Sequence, residues 1–133
     1  MNYIFEAICV GLYTTVIYLF FHYFIKNVYI LLLVVGFFKH FISNIFRIHT
    51  YYCNYGEACI KVNTTLDKLY ISNSQYIVYD SIMESILFLF LGSCLSIELT
   101  NVYLFFTIGF VLHILFEKLG IHKWFCEKRC EKI

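Results

Sequence analysis

The sequence predicts an all-α fold: an antiparallel bundle of four transmembrane helices with a cysteine-bearing loop and a short C-terminal interfacial helix. Two observations carry this. Hydrophobic residues make up 61% of the 133 residues and charged residues 14%, against roughly 25% charged in a soluble domain. So few charges cannot clothe a water-facing surface. The apolar residues also gather into four stretches near the ~20 residues that a helix needs to cross hydrocarbon. The length allows one domain, and the absence of proline argues against a disordered tail or rigid linker. A net charge of +1 supplies no field to attract nucleic acid, and no glycine-rich phosphate loop occurs.

The first span is expected over residues 3–25, closed by Lys26 and Asn27. It lacks the basic leading region of a signal peptide, carries Glu6, and exceeds a signal core in length, so it reads as a retained span. The second is expected over 28–46, interrupted by Lys39 and His40. The third covers 76–95 and contains Asp80 and Glu84. The fourth covers 102–116, and Glu117-Lys118-Leu119-Gly120 after it reads as a C-cap, with a cation in the last turn and a glycine beyond. The links between spans one and two and between three and four are short, which forces antiparallel hairpins. A polar loop is expected over 47–75 and a tail over 117–133. No internal repeat stands out. Each span holds one glycine; Gly11, Gly36 and Gly109 fall at similar depth as a close-packed centre, with Gly92 nearer the far side.

Four spans put both termini and the long loop on one side. That side holds Arg47, Lys61, Lys68, Lys118, Lys123, Lys128, Arg129 and Lys132, and the other holds Lys26. The positive-inside rule places the crowded side in the cytosol. The sequon at Asn63-Thr64-Thr65 would then never meet the glycosylation machinery. Basic residues in the tail, with Trp124 and Phe125, suit a short helix lying partly on anionic lipid.

Ionisable residues inside a bilayer usually face a partner or a cavity. Glu6, Lys39, His40, Arg47, Asp80, Glu84 and His113 all fall in the cytosolic half of the bundle, and His22 alone lies near the far end. Gly36, Lys39, His40, Ser43, Asn44 and Arg47 recur at helical period as one polar stripe, and Asp80 and Glu84 share a face of span three. At matched depth in antiparallel helices, Lys39 meets Glu84 and Arg47 meets Asp80. The cluster then either sets helix register or forms a proton, cation or catalytic site.

Of six cysteines, Cys9 and Cys94 lie within spans as small packing residues. Cys53, Cys59, Cys126 and Cys130 lie on one face in C-x5-C and C-x3-C spacing, with Gly56 inside the first pair. They are candidates for two disulfides, within each pair or tying tail to loop, or for a zinc site of four thiolates with His49 and His122 in reserve. Neither spacing is the C-x2-C of zinc sites or of thiol oxidoreductases. A cytosolic face is ordinarily reducing.

The segments GFFKHFISNIFRIHTYYCNYGEAC (36–59), SIMES (81–85) and FEKLGIHKWFCEKRC (116–130) resemble those of small multi-span proteins encoded by large nucleocytoplasmic DNA viruses of the mimivirus type. The resemblance covers most of the chain after span one and carries over no catalytic residue. It implies a structural protein of a viral membrane, such as the internal membrane of a virion, in contact with capsid or other virion proteins. Such viruses often encode thiol oxidases that form disulfides on cytosol-facing domains, which implies disulfides here. Two other readings stand beside this one. One is a viroporin-like channel or transporter subunit using the charged cluster; a bundle this small needs a homo-oligomer to enclose a pore. The other is a thiol-disulfide membrane enzyme like the four-span vitamin K epoxide reductases, from whose C-x-x-C this chain departs. No nucleophile motif such as G-x-S-x-G occurs, so neither an enzyme nor a cofactor is expected.

Overall fold

The computed structural model describes residues 2–62, 69–96 and 101–132. The sequon at 63–65 and Lys68 lie outside them. Helix α1 (Tyr3–Phe21) is followed by α2 (Val28–Ile45), α3 (Ile48–Tyr55), α4 (Glu57–Val62), strand β1 (Tyr70–Ser72), α5 (Ile77–Leu95), α6 (Asn101–Lys118), α7 (Ile121–Lys128) and β2 (Cys130–Lys132). The four long helices run 18 or 19 residues and are apolar enough to cross a membrane. At ~1.5 Å per residue they reach about 27–28 Å, close to the hydrocarbon thickness.

Asparagines start the first two spans. Asn2 Oδ1 accepts from Ile4 N at 2.7 Å, and Asn27 Oδ1 accepts from Tyr29 N at 2.9 Å; each satisfies an amide that the helix itself leaves free. Span one ends at Phe21, four residues short of the expected Ile25. Span four runs on to Lys118, and Gly120 stands in the left-handed region at φ 79°, the cap expected of it.

The bundle is two tightly packed seams. Helix α1 lies on α6, and α2 lies on α5; the contacts between hairpin partners are sparser. Glycines line the seams. A Cβ on Gly36 would stand 2.9 Å from the Ser85 Cα, and one on Gly109 would stand 2.4 Å from Thr14 Oγ1. The three-glycine centre is therefore divided: Gly11 and Gly109 serve the α1–α6 seam, and Gly36 and Gly92 serve α2–α5. Leu32, Val35, Phe88, Leu104, Phe105 and Ile108 fill the core without solvent exposure. The outer faces are also apolar. Phe5, Leu12, Val16 and Phe20 on α1 are 56–64% exposed, a stripe that water would penalise and lipid accepts. The chain is a multi-pass integral membrane protein.

The described residues of the 47–75 segment, 47–62 and 69–75, are more structured than a polar loop. Helices α3 and α4 and strand β1 cover one end of the bundle, joined by α7 and β2 from the tail. The strands pair antiparallel, Tyr70 opposite Lys132 and Ser72 opposite Cys130. The Asn54 amide exchanges two hydrogen bonds of 2.9 Å with the Tyr70 backbone, tying α3 to β1.

Candidate functional site

The charged residues collect beneath this cap in three groups. On the α2–α5 seam, Glu84 receives Lys39 Nζ on one carboxylate oxygen and His40 Nδ1, at 2.8 Å, on the other. Lys39 and Glu84 meet as their depths require. The His40 ring also contacts His49 of α3, with centroids 4.4 Å apart. On the α1–α6 seam, Glu6 Oε2 accepts from His113 Nε2 at 3.1 Å, and its other oxygen accepts from Glu57 N at 2.8 Å. His113 in turn contacts His122 of α7 at 4.3 Å, and His122 Nδ1 reaches Glu117 at 3.1 Å. A carboxylate only accepts, so each imidazole nitrogen facing one carries the proton.

The third group departs from the sequence expectation. Asp80 pairs with Arg129, through Nε at 2.8 Å and Nη2 at 3.0 Å. Arg47 was expected there, but α2 stops at Ile45, and Arg47 forms the exposed link to α3 in the left-handed region at φ 59°. Arg129 wins because β2 pins the tail over the start of α5 and a guanidinium grips a carboxylate with two parallel donors. Its guanidinium also lies 4.4 Å from the Tyr76 ring centroid and 4.7 Å from that of Trp124. His22, at the far end of α1, bonds the Leu19 carbonyl and is half-buried.

The cysteines form two disulfides, Cys53–Cys130 and Cys59–Cys126. Both cross from loop to tail, and the four sulfurs are consumed in them rather than in a zinc site. Cys53, Cys59 and Cys126 are buried, and Cys59 and Cys126 form a small second core with Ala58, against which Tyr52, Phe125 and Cys130 pack. Cys9 and Cys94 remain free thiols on exposed faces of their helices.

Several participants were not singled out beforehand as parts of this cluster. His49 and His122, reserve zinc ligands by sequence, lie in tilted ring contact with the two span histidines. Burial pushes each down to about 3, aided by the neighbouring His40 for His49 and His113 for His122, so both stay neutral at neutral pH. Tyr52 sits between His113, His122 and Phe125 with its hydroxyl buried and unpartnered among the described residues. Burial raises its phenol, and the carboxylates of Glu6, Glu117 and Glu57 raise it further. Residues on a tail and a loop cannot be assigned to a helix seam from periodicity, which is why Arg129, Glu57 and Tyr52 escaped notice.

No protein-family model, curated protein or solved structure matches this chain. What the arrangement can do follows from its own geometry. Its acids and bases pair with one another. Two cystines bind the cap to itself.

Proposed function

We propose that the protein is a structural component of a viral membrane, the internal membrane of a virion, in which the bundle anchors a disulfide-stapled cap that contacts capsid or other virion proteins. The closure of charge at the capped end carries this reading. Lys39 and His40 share Glu84, His113 holds Glu6, and Arg129 holds Asp80. Mutual pairing of this kind sets helix register. The largely buried cystines are poor targets for an attacking thiolate, which suits a staple better than an exchanging redox pair. The excess of basic residues on the capped end favours its facing the cytosol. The viral assignment draws on the resemblance of residues 36–59, 81–85 and 116–130, and viral thiol oxidases would account for cystines on that face.

The test is quantitative mass spectrometry of purified virions. The protein is expected at high copy, in the membrane fraction, cross-linked through the cap to capsid or core proteins. Absence from virions overturns the proposal. Liposomes containing the purified protein are expected to be electrically silent; ion flux that disappears with Glu84→Gln would instead select the channel reading.

A further inference from the structure

We infer that the chain is two copies of one structural unit fused in tandem, each completed by the other: span, span, cap helix and two cysteines. The first copy is α1–α2–α3 with Cys53 and Cys59. The second is α5–α6–α7 with Cys126 and Cys130.

The element lengths agree throughout. Helices α1 and α5 have 19 residues, α2 and α6 have 18, and α3 and α7 have 8. Each second span passes to its cap helix through a residue in the left-handed region, Arg47 at φ 59° and Gly120 at φ 79°. With these residues aligned, α2–α3 and α6–α7 match without a gap. Leu31, Gly36, Phe37, His40, Ile48, His49 and Cys53 meet Leu104, Gly109, Phe110, His113, Ile121, His122 and Cys126. The core positions Leu32 and Val35 meet Phe105 and Ile108, all fully buried.

Packing repeats in the same alignment, with α1 matched to α5 from their first residues. Gly109 abuts Thr14 of α1, and Gly36 abuts the equivalent Phe88 of α5. Gly11 approaches the Phe106 carbonyl, and the equivalent Ser85 donates to the equivalent Leu33 carbonyl at 2.7 Å. Tyr18 stacks on Phe105 at 4.5 Å, and the equivalent Gly92 abuts the equivalent Leu32.

These contacts are reciprocal. The first helix of each copy packs on the second helix of the other, the signature of a closed two-fold interface. Both copies start at the capped end, so the axis runs along the bundle, as in membrane proteins built from parallel repeats. Each copy contributes one span histidine in ring contact with one cap histidine, and the carboxylate bound to the span histidine comes from the other copy. The disulfides cross in the same way: the first cysteine of each copy bonds the second cysteine of the other.

The departures are local. Glu6 is equivalent to Asp80, yet His40 takes its carboxylate from Glu84, one helical turn deeper, and presents Nδ1 where His113 presents Nε2. Asp80 is thereby left for Arg129. Lys39 stands where the second copy has Leu112. Among the described residues, α4 has no counterpart in the second copy. One copy alone would lack the carboxylate that its span histidine binds and the cross-copy partner of each cysteine; a second copy of the same unit supplies both.

Exchange of the cap segments in the full-length chain tests this. One variant carries the residues of 46–53 in place of 119–126, and the reciprocal variant carries the residues of 119–126 in place of 46–53. Controls make the same exchanges one position further along, displacing histidine and cysteine together. Maleimide labelling of the denatured, non-reduced protein counts free thiols. The register-matched exchanges are expected to label at Cys9 and Cys94 alone, as the unaltered protein does, while the displaced controls label at additional cysteines. Additional labels in both matched exchanges overturn the inference, as do controls that keep their disulfides. Retention in either matched exchange but not in its control upholds it.

Discussion

Gly36→Ala is the sharpest probe of how the bundle is held together. The added methyl would stand 2.9 Å from Phe88 Cβ and 2.9 Å from Ser85 Cα. The second of these is backbone and cannot rotate away. Restoring ordinary contact means opening the α2–α5 seam by about half an ångström or more. That opening works against the Ser85 hydroxyl bond to Leu33 and against the Lys39–Glu84–His40 group one turn away. Overpacking of a close-packed core costs about 1–3 kcal/mol, and alanine's better helix propensity returns about 1 kcal/mol. Because the Ser85 contact is backbone, the cost belongs in the upper part of that range, about 2–3 kcal/mol, and the net expectation is a loss of about 1–2 kcal/mol. Gly92→Ala on the same seam is the control, because the atoms nearest its methyl are all in the Leu32 side chain, the two Cδ tips at 2.4 and 2.5 Å and Cγ at 3.0 Å. A leucine tip can turn aside, so the propensity gain roughly cancels the cost. Thermal unfolding in detergent, followed by circular dichroism with both variants side by side, reads the difference. Equal melting of Gly36→Ala and the unaltered protein, or a larger loss for Gly92→Ala, would refute the reasoning.

Three further expectations follow from particular side chains. Glu84→Gln strands Lys39, whose side chain is 14% exposed, and is expected to cost about 3–5 kcal/mol. The double variant Lys39→Met/Glu84→Gln removes both charges and should melt above the single one; a double variant that melts lower argues that the pair is not the controlling contact. His49 and His122 are held near 3 in the folded protein but titrate near 6.5 when unfolded. The unfolded chain therefore binds more protons below pH ~6.5, and stability is full above that point and falls as pH drops toward 3. The slope is at most about 1.4 kcal/mol per pH unit for each histidine; melting curves from pH 7.5 to 5 that do not flatten in His49→Gln/His122→Gln would contradict this. Arg47→Gly replaces a side chain in the left-handed region and should stabilise by about 1 kcal/mol. Gly120→Ala, with open space around the new methyl, should lose about 1 kcal/mol through backbone strain alone; melting shifts of the opposite sign at both sites would count against the two links being equivalent.

Much of this protein is legible in one dimension because a bilayer imposes one-dimensional rules. A span must be apolar for about 20 residues, and its ionisable residues must find partners within reach of their own depth. Those rules suffice for the four spans, for the shared end of both termini and the long loop, and for the meeting of Lys39 with Glu84. They say nothing about segments outside the hydrocarbon. Which cysteine bonds which, how α3, α4 and α7 assemble into a cap, and why Arg129 rather than Arg47 reaches Asp80 depend on where the chain turns after each span. The repeat was hidden for a related reason. Lipid-facing positions tolerate almost any apolar residue, so few identities survive: the histidines, the first cysteine of each copy, the seam residues Leu31/Leu104 and Gly36/Gly109, and scattered apolar positions. The acid that binds His40 is Glu84, one helical turn beyond the Asp80 that aligns with Glu6, so the contact recurs in space between residues that do not align in sequence.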